Sequence, residues 1–146
     1  MTVRVVIDTN IWIRILLKGR ITLPILEAFN ADKFQLMISQ PLMDELHLVW
    51  NRQRLKERID PNQAIRLEQQ LQHRAIWVEL VTVPPNCREP KDLPVLATAI
   101  DGEARIIVSG DNDLLADDRL RAAMEAYNIQ LLGVHSFLKY LDEGSG

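Results

Sequence analysis

A single cysteine, Cys87, excludes a disulfide framework and a cysteine-rich zinc site. Such sparing use of cysteine fits a reducing compartment. No apolar run approaches the roughly 18 residues that a bilayer-spanning helix needs. The first residues meet charge too soon to form a signal peptide. The expectation is therefore a cytoplasmic protein with no membrane partner. Charge of one sign is also missing: 17 Lys and Arg face 20 Asp and Glu, a net charge of −3. That argues against broad electrostatic attachment to nucleic acid. An enzyme acting on nucleic acid stays compatible only if metal ions offset its carboxylates and basic residues line the approach. There is no internal repeat, no long linker and no His-rich cluster.

What is present is an ordinary globular composition, 47% hydrophobic and 25% charged over 146 residues. This is enough for one core, so a single domain over residues 1–142 is expected, with 143–146 a loose tail. Strand-like and helix-like runs alternate, which predicts an α/β domain with a mainly parallel sheet. Five strands are expected at residues 3–7, 35–38, 77–81, 105–108 and 129–132. The first is β-branched and nearly all apolar, as a central parallel strand should be. Helices are expected from Thr9 and Asn10 to Leu17, and over residues 22–31, 41–50, 52–58, 60–75, 93–100, 113–115, 118–127 and 136–141. Ser39 is a candidate N-cap for the third of these, and Asp60-Pro61 marks the start of the fifth.

Four acidic residues are notable for where they fall. Asp8 ends the best strand, and Asp111 lies just past another, after Gly110. In a parallel sheet all carboxyl ends share one edge, where ligand sites form near the reversal of strand order. Glu45 occupies a place in the apolar stripe of Leu42, Leu46 and Val49, where a carboxylate needs a partner, whereas Asp44 points away. Asp92 precedes Leu93-Pro94 at a helix mouth, where the helix dipole favours an ionised carboxylate. Brought together, four carboxylates would repel without a cation. Hard oxygen donors suit Mg²⁺ or Mn²⁺. Each residue also has a plainer reading: Asp8 and Asp92 as helix caps, Asp111 as a turn former, and Glu45 with its head in solvent.

These segments resemble the motifs of the PIN-domain family. Val6-Ile7-Asp8-Thr9-Asn10 is similar to its opening signature, and Pro41-Leu42-Met43-Asp44-Glu45-Leu46 to the helix carrying its glutamate. Glu89-Pro90-Lys91-Asp92 with the following apolar run resembles the third motif. The stretch from Ile107 to Leu115 resembles the last. The resemblance covers nearly the whole chain in order. It implies a three-layer α/β/α fold around a five-stranded, mainly parallel sheet. It implies Mg²⁺- or Mn²⁺-dependent cleavage of RNA, with Asp8, Glu45, Asp92 and Asp111 as the metal-binding and catalytic set and Asp113 as a fifth ligand candidate. Asn10 and Ser109 are the supporting polar residues; Ser109 stands where the family more often has Thr. The resemblance also suggests the toxin of a type II toxin–antitoxin pair, a homodimer held by a separate antitoxin protein.

Arg14, Lys18, Arg88 and Lys91 flank these motifs and are candidate contacts to RNA phosphate. The basic run from Arg52 to Arg58 reads as a solvated helix face, since Glu57 interrupts it. His47, His73 and His135 share no spacing and read as surface or half-buried. Trp12, Trp50 and Trp77 read as core or interface residues. Two rival functions remain. An aspartate-nucleophile phosphatase wants a second aspartate two residues after Asp8, where this chain has Asn10. A phosphoryl receiver wants an aspartate ending a middle strand, and none is found. The other rival is an inactive PIN-like module that binds RNA or supports an assembly.

Overall fold

A computed structural model of the chain describes residues 2–82 and 92–144. Five parallel strands form one sheet: β1 (Arg4–Ile7), β2 (Gln35–Ile38), β3 (Ile76–Trp77), β4 (Ile106–Val108) and β5 (Gln130–Leu132). Their order is β3-β2-β1-β4-β5. The chain thus builds outward on one side of β1, then returns to add β4 and β5 on the other. The order reverses between β1 and β4, the two most central strands. Their cores are wholly apolar and buried: Val5, Val6 and Ile7 beside Ile106, Ile107 and Val108. Strands buried on both faces need this near-continuous hydrophobicity.

Helices cover both faces, giving three α/β/α layers. After β1 come α1 (Thr9–Leu16) and α2 (Leu23–Asn30); after β2 come α3 (Gln40–Trp50), α4 (Gln53–Lys56) and α5 (Pro61–Arg74). The second half contributes α6 (Leu93–Asp101), α7 (Asn112–Leu115), α8 (Asp118–Glu125) and α9 (Val134–Gly144). Helix α6 packs on β1, β2 and β4 and also against α3, while α1 packs against α3. A run of rings joins the ends of the chain: Trp12 to Phe29 at 6.0 Å, Phe29 to Phe34 at 6.1 Å and Phe34 to Phe137 at 5.2 Å between centroids.

Several expectations are corrected. The third strand has only two residues and is partly exposed, because the chain leaves the ladder after the Val78 amide, which still donates to the Ile38 carbonyl at 2.7 Å. Asp101, at the end of α6, instead holds the segment that follows. Its carboxylate accepts from the amides of Val81 and Thr82, at 2.7 and 3.0 Å, and from the Thr82 hydroxyl. Some desolvation works against its ionised form, but these hydrogen bonds outweigh it and lower its pKa. Helix α9 runs to Gly144 rather than stopping at Leu141, so it takes in part of the expected tail. Trp77 is 38% exposed, while Trp12 and Trp50 are buried. Asp60 caps α5 as expected, accepting from the Asn62 amide at 2.9 Å. No helix among the described residues is long and apolar enough to cross a membrane.

Candidate active site at the strand-order reversal

The register of β1 on β4 builds the site. Ile7 pairs with Val108, and the Asp8 amide continues the ladder to the Val108 carbonyl at 2.9 Å. One step further, Asp8 and Ser109 leave neighbouring strands side by side. The Ser109 hydroxyl donates to Asp8 Oδ2 at 2.9 Å and accepts from the Asp111 amide at 3.0 Å. Asp111 Oδ1 in turn accepts from the Asp113 amide at 2.9 Å, which starts α7. Asn10 Oδ1 accepts from the Gly110 amide at 3.4 Å. The two chain turns, after β1 and after β4, are thus stitched together by side chains from both.

Asp8 takes the N-cap position of α1, ahead of Thr9 and Asn10, yet its side chain makes no cap hydrogen bond. It is 6% exposed, and its pKa is raised. Burial is the main cause; the Ser109 hydrogen bond and the nearby Thr9 amide pull the other way; the Asp111 charge raises it further, and the Asn10 amide lowers it. No ion pair among the described residues reaches Asp8.

Helices α3 and α6 carry the other two acidic positions. The buried face of α3 is Leu42, Met43, Leu46 and Trp50, so Glu45 stands half-buried at its border beside Val49 rather than inside it. Asp44 is exposed and accepts from Gln40 at 2.8 Å. Asp92 is 5% exposed at the N-cap position of α6, again with no side-chain cap bond. Ser39 does not cap α3. Its hydroxyl meets that of Thr98 at 2.7 Å inside the protein, and Thr98 donates to the Pro94 carbonyl at 2.6 Å. Thr98 has one hydrogen and spends it there, so Ser39 is the donor to Thr98. This buried pair ties the helix bearing Glu45 to the helix that Asp92 begins.

Asp8, Asn10, Ser109 and Asp111 therefore meet at one place. Asp113 joins through its backbone, with its side chain exposed. Glu45 comes from α3, which packs on α1 and α6, and Asp92 from the start of α6, which packs on β1 and β4. Among the described residues, no three Asp, Glu, His or Cys side chains stand close enough to enclose a metal ion. The donors that do meet nevertheless fit a hard divalent cation: one sealed carboxylate, a second carboxylate repelling it, and hydroxyl and amide oxygens beside them. Of the candidate phosphate contacts, Arg14 lies over Gly110. Lys18 lines a groove of about 450 Å³ with Arg20, Leu23 and Arg66, between α1, α2 and α5. Arg88 and Lys91 lie outside the described residues, as does Cys87. Sequence reasoning missed the Ser39–Thr98 pair and the Asp101 clamp. Two hydroxyls 59 residues apart leave no local signal.

A parallel sheet between helix layers, with a paired aspartate site where the strand order reverses, defines an α/β protein with an acidic ligand site at that reversal. The PIN-domain family profile matches residues 4–113. That span reaches from the first residue of β1 to Asp113, so the chain belongs to the PIN-domain family. Members of this family are generally nucleases that use divalent metal ions. Neither the comparison with curated proteins nor that with solved structures returned a match.

Proposed function

We propose that this protein is a Mg²⁺- or Mn²⁺-dependent endoribonuclease, acting in the cytoplasm as the toxin of a type II toxin–antitoxin pair. The observation that carries the catalytic part is the buried Asp8 carboxylate, held by Ser109 beside Asp111 at the strand-order reversal. Asp8 and Asp111 would hold the ion, with Glu45, Asp92 and Asp113 as the further ligands that family membership suggests. When bound, the ion would supply Lewis-acid polarisation of a phosphodiester and a more acidic water. Ser109 keeps the Asp8 oxygens aimed and favours the ionised form. Asn10 holds the Gly110 amide and so the turn that carries Asp111. A carboxylate not engaged by the ion accepts the proton of the attacking water. The family resemblance supports a homodimer and a separate antitoxin as partners.

Cleavage of defined single-stranded RNAs, with metal withheld and then restored, tests this reading. Wild-type protein should cut only with Mg²⁺ or Mn²⁺. Asp8→Asn should slow the reaction by about 10²-fold or more, the loss expected when a metal-dependent charge-stabilising group goes. Equal RNA decay with wild type and Asp8→Asn would exclude the enzyme and leave an RNA-binding or assembly module.

A further inference from the structure

We infer that Arg14 grips a backbone phosphate of single-stranded RNA beside the scissile bond, and that Gly110 lacks a side chain in order to leave room for that guanidinium. The inference rests on the proposed function and adds a substrate contact to the same site. Asn10 and Arg14 lie one turn apart on α1, so both face the turn after β4. Asn10 takes the Gly110 amide, and Arg14 lies over the Gly110 α-carbon. A Cβ built on Gly110 would lie 2.8 Å from Arg14 Cζ and 2.9 Å from Nη2, and closer still to Nη1. Backbone conformation does not explain the glycine, because no described glycine has a positive φ. The three nearest obstacles to a side chain there all belong to Arg14.

The guanidinium is also at liberty to bind. Arg14 is exposed, and no hydrogen bond or ion pair among the described residues engages it. It stands next to the turn that carries Asp111 in a protein of net charge −3. An acidic site must still attract a polyanion, and a planar guanidinium fork at its rim offers paired N–H donors to phosphate oxygens. Gly110 is then a positioning residue: it acts through Arg14 rather than on the substrate. Because the displaced atoms are the far end of a flexible side chain, Gly110→Ala should fold normally and only move the guanidinium.

The test combines binding and cleavage. Binding of a short fluorescein-labelled single-stranded RNA is followed by anisotropy in EDTA over a range of salt. Arg14→Ala should weaken binding several-fold and flatten the salt slope by about 0.7, the value for one phosphate on a single strand. Arg14→Lys should recover the slope but only part of the affinity. Gly110→Ala should resemble Arg14→Ala, and the double variant should be no weaker than Arg14→Ala alone. In cleavage, the same variants should raise KM more than they lower kcat. An unchanged salt slope in Arg14→Ala overturns the phosphate contact, as does wild-type protein that binds no RNA. Additive losses in the double variant overturn the role of Gly110. If the slope falls as expected but wild type cuts no faster than Asp8→Asn, the contact stands and the nuclease reading fails.

Discussion

Asp8 shows how a single residue can be set against its own fold. Its carboxyl is buried beside a second carboxylate, and the hydrogen bonds from Ser109 and from the Thr9 and Asn10 amides do not offset this. In the unfolded chain it titrates near 3.9; in the folded protein its pKa is higher. Between those two values the native state binds more protons than the unfolded one, so stability falls as pH rises through the folded pKa. Above its unfolded pKa the burial of Asp8 is a net cost to stability. Asp8→Asn removes the charge and can still accept from Ser109. Metal-free Asp8→Asn should therefore melt at a higher temperature than wild type at neutral pH. The gap should close as pH falls below the folded pKa of Asp8. Thermal melts across pH, in chelator, check this; a variant less stable than wild type at every pH would show that the burial is not costly.

At the scale of elements, the Ser39–Thr98 pair joins α3 to α6 through two buried hydroxyls. The direction of donation makes the two substitutions unequal. Ser39→Ala leaves Thr98 still donating to the Pro94 carbonyl, so about 1 kcal/mol should be lost, an ordinary hydrogen bond. Thr98→Val strands the Ser39 hydroxyl, while the Pro94 carbonyl keeps the Thr98 backbone amide of the helix, and should cost about 1–3 kcal/mol. Urea unfolding of the two variants measures the difference, and equal losses would reverse the donor assignment. The elements themselves were largely legible in the sequence. Buried parallel strands such as Val5 to Ile7 advertise themselves by continuous apolarity, and Asp60-Pro61 by its cap. The third strand was overextended because alternation over Trp77 to Val81 looks the same whether a partner strand exists or a carboxylate, here Asp101, takes the amides. The site was half legible. Asp8 and Asp111 follow from strand ends, since topology alone brings those together. Glu45 depended on helix phase, and an error of one position moves a residue from the face to its border. Arg14 over Gly110 joins residues 96 apart along the chain, which no local pattern reports.

At the scale of the whole molecule, metal binding and folding share one free energy. A cation that binds the assembled aspartates and not the unfolded chain stabilises the protein by mass action, about 2.7 kcal/mol at a concentration of 100 times Kd. For a domain of this size that corresponds to a rise in Tm of about 5–10 °C. Mn²⁺ should produce such a rise in wild type and little or none in Asp8→Asn combined with Asp111→Asn. Differential scanning calorimetry with and without Mn²⁺ makes the comparison, and an equal rise in both proteins would place the ion elsewhere.

The pairing of Ile7 with Val108 has a further consequence for how such a chain is made. Asp8 and Ser109 are 101 residues apart in sequence, and nothing but the alignment of β1 on β4 brings them together. A nascent chain that has already made Asp8 lacks the Ser109 partner until β4 has emerged and docked. Under the proposed function, a copy that lacks β4 is harmless to the message that encodes it, and the danger begins only once β4 has docked on β1.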